Sequence, residues 1–147
     1  MSRHPHVPLL PGWVDDTRDA PDEPLMFYRE PTSCGRLQVS LWSLGTFTTH
    51  SALAPAGLEE LAVSVGEEQL NCGPVQHREH GDCAAGKLGT AGFAASPDRS
   101  YGQVWVLFDG RDFVLATYIA FDKTDPDELR EVDEIVRGIT IVGAESN

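Results

Sequence analysis

Two cysteines and two histidines stand close together in the middle of the chain: Cys72, His77, His80 and Cys83. Written out, the pattern is Cys-x4-His-x2-His-x2-Cys. Two thiolates and two imidazoles are the donor set of a tetrahedral zinc site. The spacing is not that of a standard zinc finger. Residues three apart on a strand point to opposite faces. His77 and His80 therefore converge only if a turn intervenes, and Gly81-Asp82 could supply one. The plainer expectation is two exposed histidines and two small, partly buried thiols. No cofactor is the leading expectation, with zinc as the alternative.

Other chemistry finds less support. The third cysteine, Cys34, lies in a Pro- and Gly-containing turn, and no local motif pairs any cysteine with a histidine for nucleophilic attack. There is no Gly-x-Ser-x-Gly elbow. Gly86-Lys87-Leu88-Gly89-Thr90 lacks the order of a phosphate-binding loop and leads into a strand, not a helix. Carboxylates crowd residues 15–23 and again residues 122–134. Neither set follows the calcium-loop order, so both read as solvated acidic faces. Of the three tryptophans, Trp105 reads as core. Trp42, with Phe47 nearby, is the candidate partner-binding anchor.

Composition narrows the partners. A chain of 147 residues is one ordinary domain and can bury a sizeable core without metal or disulfide. Its 11 basic and 23 acidic residues give a formal net charge of -12. That field repels phosphate backbones and anionic lipid, so nucleic acid and membrane surfaces are excluded as expected partners. Another protein, with a basic patch, is the expected partner. No apolar run is long enough to span a bilayer, and Met1-Ser2-Arg3-His4-Pro5-His6 has no signal-peptide core. An odd number of cysteines fits a reducing, cytoplasmic setting.

The elements that must carry these residues can be read from periodicity. Residues 1–24 form a Pro- and Asp-rich, irregular lead-in with room for a short strand near Trp13. Residues 25–147 form a single α+β domain. Leu25–Glu30 and Arg36–Trp42 are predicted to pair as a hairpin, with Leu37, Val39 and Leu41 alternating against Gln38, Ser40 and Trp42. Ala54–Leu70 is predicted helical, with Leu58, Leu61, Ala62 and Val65 on one stripe. Short strands are expected near Val75–His80 and Lys87–Ala94. The strongest signal is Gly102–Phe108, then Asp109-Gly110, then Phe113–Phe121: two β-rich runs across a turn that needs positive φ. Both runs are apolar on both faces, so they belong in the middle of the sheet. Asp125 then caps a helix with Pro126 in its first turn. Its buried stripe is Leu129, Val132, Val136 and Ile139, with Ile135 beside it. Thr140–Gly143 closes the chain as a short strand.

This order, with the textures Lys87-Leu88-Gly89, Gln103–Gly110, Leu115-Ala116-Thr117-Tyr118 and Glu131–Ile141, resembles the PsbP/Mog-like superfamily. The resemblance covers the chain from about Trp13 onward. It implies a central antiparallel sheet flanked by two main amphipathic helices, an α/β/α sandwich. The superfamily includes a photosystem II extrinsic subunit, Ran-binding proteins and small bacterial proteins and secretion chaperones, which act mostly by binding. The implied function is a non-enzymatic protein-binding module of a bacterial cytoplasm, of adaptor, chaperone or immunity type. The alternative is a metal-binding or thiol-dependent protein using the Cys/His cluster. A homodimer through the first hairpin as a sheet edge is a third expectation.

Overall fold

The computed structural model describes residues 3–16, 25–29, 35–43, 55–69, 74–94, 101–110, 112–121 and 125–143. The strands are β1 (Arg3–His6), β2 (Trp13–Asp15), β3 (Leu25–Arg29), β4 (Gly35–Ser43), β5 (Val75–Cys83), β6 (Gly86–Phe93), β7 (Tyr101–Phe108), β8 (Asp112–Ala120) and β9 (Thr140–Gly143). The helices are α1 (Pro55–Ser64), which runs on into wider π-type turns over Val65–Gln69, and α2 (Pro126–Arg137). Strands β2 to β8 form one antiparallel sheet in the order β2-β3-β4-β8-β7-β6-β5, and β1 pairs with β9 in a separate two-stranded ribbon.

The ribbon predicted at Asp109-Gly110 is the centre of this sheet. Gly110 takes φ +98°, a conformation that disfavours a side chain. The Asp109 carboxylate accepts the Asp112 amide at 2.8 Å, holding the turn closed. β8 lies in the middle of the strand order with β7 beside it. Residues along them alternate between two clusters. Trp105, Leu107, Val114, Ala116 and Tyr118 pack with Val132, Ile135 and Val136 of α2 and with Ile139. Val104, Val106 and Phe113 pack with Leu58 and Ala62 of α1 and with Val65. Asp125 caps α2 as expected, accepting the Asp127 amide at 2.9 Å.

Gly89 fixes how closely α1 can lie on β6. A Cβ there would fall 2.7 Å from Glu59 Cα, and nearer still to the Glu59 nitrogen and the Leu58 carbonyl carbon. Only glycine lets helix and strand backbones meet at that distance.

Four expectations are corrected. The lead-in is not irregular throughout: β1 reaches across to β9, and β2 extends the main sheet. The first hairpin is not an edge, because β3 pairs with both β2 and β4, and β4 with both β3 and β8. Among the described residues the edges are β2 and β5. Gly81-Asp82 makes no turn, since β5 continues through it to Cys83 and the chain turns at Ala84-Ala85. Finally, the carboxylates of α2 are only in part a solvated face: Asp127 and Glu134 are exposed, but Glu128, Glu131 and Asp133 accept hydrogen bonds from Tyr118, Trp13 and Trp105.

Candidate protein interface

The Cys/His group is not assembled on β5. Cross-strand pairing sets His77 opposite Gly92 and His80 opposite Gly89, which lie on opposite faces of β6. The His77 ring sits over Gly92, where an added Cβ would meet its Nδ1 at 2.6 Å. His80 turns the other way, toward α1, and its Nδ1 lies 2.7 Å from Glu59 Oε2. Arg78 donates to the other Glu59 oxygen at 2.6 Å. The His80 hydrogen bond, helped by Arg78, holds the Glu59 carboxyl below its ordinary pKa. Cys83 is half-buried and outside any disulfide, with its thiol 3.6 Å from the Lys87 carbonyl oxygen. Cys72 and Cys34 fall outside the described residues, as does Phe47. Trp42 is placed by its backbone, opposite Phe113 in the β4–β8 ladder. Among the described residues, no three His, Cys, Asp or Glu side chains converge as a metal site.

The acidic residues of α2 are used inside the fold. Glu128 is fully buried and accepts a hydrogen bond from the Tyr118 hydroxyl. Glu131 accepts the Trp13 indole N–H at 2.9 Å and lies 3.5 Å from Arg29. Arg29 also pairs with Asp125 at 3.2 Å. Asp133 accepts the Trp105 indole N–H at 3.1 Å and the Arg137 guanidinium at 2.8 Å. Arg137 reaches on to Glu79 of β5 at 3.0 Å. Burial works against the Arg137 charge, but Asp133 and Glu79 outweigh it and leave its pKa above the ordinary value. Beside this group runs a buried polar chain. The Tyr101 hydroxyl donates to Gln103, the Gln103 amide donates to Thr90, and the Thr90 hydroxyl donates to the Val104 carbonyl. Burial, with Asp133 adding its charge, pushes the Tyr101 phenol up to about 12. Every member of that chain has a partner, so it reads as structure and not as a reactive centre.

Among the described residues, one part of the sheet has a helix on only one of its faces. α1 packs on β5, β6 and β7 and reaches β8 at Phe113. Among the described residues no helix lies over the same face of β2, β3 and β4. The two faces differ in burial in the middle of the strands, although Asp15 is exposed and Leu25 and Arg29 are half-buried on the α2 face. On the face toward α2, Trp13, Phe27, Leu37, Val39, Ala116, Tyr118 and Ala120 are buried. Their neighbours on the other face are not: Val14, Met26, Tyr28, Thr117 and Ile119 are half-buried, and Arg36 and Gln38 are exposed. Cross-strand pairing brings these residues side by side, Val14 opposite Tyr28, Met26 opposite Gln38, Gln38 opposite Thr117 and Arg36 opposite Ile119. The Arg36 guanidinium lies 5.2 Å from the Tyr28 ring centroid and 3.3 Å from Asp16. The patch thus combines half-buried apolar and aromatic side chains with the exposed Arg36 and Gln38 of β4, and Arg36 links it to Asp16. Sequence reasoning named Trp42 and passed over Tyr28, Met26 and Ile119. Their phase against Phe27 and Tyr118 was the available signal.

Among the described residues, the seven-stranded antiparallel sheet with its two helices matches solved structures of a known fold class. The chain has the PsbP/Mog-like fold. It is similar to a cyanobacterial PsbP, CyanoP, from Synechocystis sp. PCC 6803, at a TM-score of 0.57 and 11% identity, covering 96% of this chain and 93% of that one. It is similar to LpqN, a Mycobacterium tuberculosis protein involved in cell envelope biogenesis, at 0.60 and 16%, covering 97% and 85%. A point mutant of protein Mog1 matches at 0.57 and 12%, covering 98% of each chain. No protein-family profile matches the chain, and no curated protein matches it.

Proposed function

We propose that this protein is a non-enzymatic binding module that docks another protein on the open face of β2, β3, β4 and β8. In this reading α1 and α2 flank the sheet as a sandwich, and α1 stops short of the face it shares with the docking surface. The observation that carries the proposal is the half-buried patch of Val14, Met26, Tyr28 and Ile119, set against the buried Trp13, Phe27, Tyr118 and Ala120 on the opposite face. Aromatic and apolar side chains on a pleated, rigid surface suit a partner's hot-spot residues. Trp42, near the end of β4, and Phe47 act as further anchors. The net charge of -12 favours a partner with a basic rim. A bacterial cytoplasm, and a role as adaptor, chaperone or immunity-type protein, fit this reading. The fold shared with Mog1, PsbP and LpqN supports it as a scaffold.

The test compares proteins captured from a bacterial lysate by the wild type, by Ile119→Asp and by Tyr28→Ala, with His77→Ala as a control on β5, away from the patch. The expected result is a captured protein lost with both face variants, kept with His77→Ala, and released by high salt. Hydrogen exchange on the purified pair should then protect β3 and β4. Capture that survives both face variants, with their thermal midpoints unchanged, rejects the proposal.

A further inference from the structure

β1 alternates in exposure. His4 and His6 are exposed, and Pro5 between them is half-buried. The pairing explains the alternation. Pro5 stands opposite Ile141, whose side chain packs against the main core. His4 stands opposite Val142 and His6 opposite Thr140, and Val142 is itself exposed. One side of the β1–β9 ribbon therefore rests on the body of the protein, and the other presents both imidazoles to solvent.

Residues two apart on a strand share a face. Two rises of about 3.3 Å put His4 and His6 about 6.6 Å apart along it. Two imidazoles at that spacing can each bring one ring nitrogen to within about 2.0–2.1 Å of a single ion between them. Pro5 fixes one φ of the bridge, which lowers the ordering cost of chelation. Neither cross-strand neighbour, Val142 or Thr140, is charged. The protein ligands are thus all nitrogen, a set that suits copper, nickel and zinc over magnesium or calcium.

We infer that His4 and His6 form a two-imidazole chelate for a late first-row divalent cation, with Cu2+ held before Ni2+ and Zn2+. Water completes the coordination. The ion bridges one face of β1 and so favours the strand conformation in which that segment joins β9. This site is separate from the docking face, and each can fail without the other.

The probe is CuCl2, added to the untagged full chain at pH 7.5 and followed by equilibrium dialysis and by electron paramagnetic resonance. The wild type is expected to hold one tight equivalent of Cu2+, with superhyperfine splitting from two imidazole nitrogens. His4→Asn and His6→Asn should each lose that equivalent, while the double variant His77→Asn/His80→Asn keeps it. Retention of tight Cu2+ by either single β1 variant, or its loss in the His77/His80 variant alone, overturns the inference.

Discussion

Replacing Gly89 by alanine measures how closely α1 rests on the sheet. The added Cβ would stand 2.7 Å from Glu59 Cα and closer to two further helix backbone atoms. Carbon atoms in contact prefer about 3.5–4.0 Å, so α1 or β6 must move by about 1 Å. No flexible side-chain end lies in the way to absorb the strain. Forcing bulk into a packed core costs up to about 3 kcal/mol, and the alanine restricts the unfolded chain by an offsetting 0.4–1 kcal/mol or so. The net expectation is a loss of about 2 kcal/mol. At about 2–4 °C per kcal/mol for a domain of this size, the melting midpoint should fall by about 4–8 °C. Gly81→Ala is the internal control. Nothing lies within 4 Å of its Cβ position, and its φ is ordinary, so that variant should melt at or slightly above the wild type. Calorimetry on both proteins decides the matter. A Gly89→Ala protein as stable as Gly81→Ala refutes the close helix–strand approach.

Three further outcomes are expected. Tyr118→Phe deprives the buried Glu128 carboxyl of a donor, which should cost about 1–3 kcal/mol in urea unfolding with little change in slope. The Glu59 carboxyl titrates lower in the folded state than in the unfolded one. Its stabilising effect is therefore present above the unfolded value and lost as pH falls through the folded one. Glu59→Gln should thus be less stable near pH 6 by about 0.2–1 kcal/mol, and equal to the wild type in strong acid, as read from melting curves. The Tyr101 phenol, pushed up to about 12, favours the folded state fully below the unfolded tyrosine value. That contribution is lost as pH rises through about 12. Ultraviolet titration should show a late-ionising tyrosine that Tyr101→Phe removes.

The parts of the fold legible in sequence are those where one local rule suffices. The Asp109-Gly110 turn needs positive φ and has it, and Leu37, Val39 and Leu41 alternate and all join the core. Asp125 and Pro126 open α2 where capping chemistry demands. The missed parts depend on distant partners. Nothing in Arg3–His6 looks like a strand, because its pairing is created by β9 at the other end of the chain. The continuation of β5 through Gly81-Asp82 is set by the β6 ladder, not by local turn propensity. The His77/His80 parity argument was sound, and only the escape through a turn failed. The open face was out of reach for a different reason. Whether the second face of a half-buried strand is covered depends on where a helix ends, and α1 ends over β7 and the start of β8.

The acidic helix changes how the net charge should be read. Rules for helix termini assign Asp127 and Glu128 to the dipole, and a run of carboxylates to solvent. Yet Glu128, Glu131 and Asp133 each accept a hydrogen bond from Tyr118, Trp13 or Trp105, aromatic residues buried on the sheet. An indole or phenol donor that is buried needs an acceptor, and a helix carrying carboxylates can place several at once. The acids of α2 therefore tie the helix to β2, β7 and β8, and two of them also hold Arg29 and Arg137. Those carboxylates are already matched and add little to a field felt by a partner. The charge that selects a basic surface must come from elsewhere on the chain, and raised salt should weaken docking without loosening α2. A protein whose α2 melted first in salt, as seen by hydrogen exchange, would show that these half-buried pairs are screened like surface pairs.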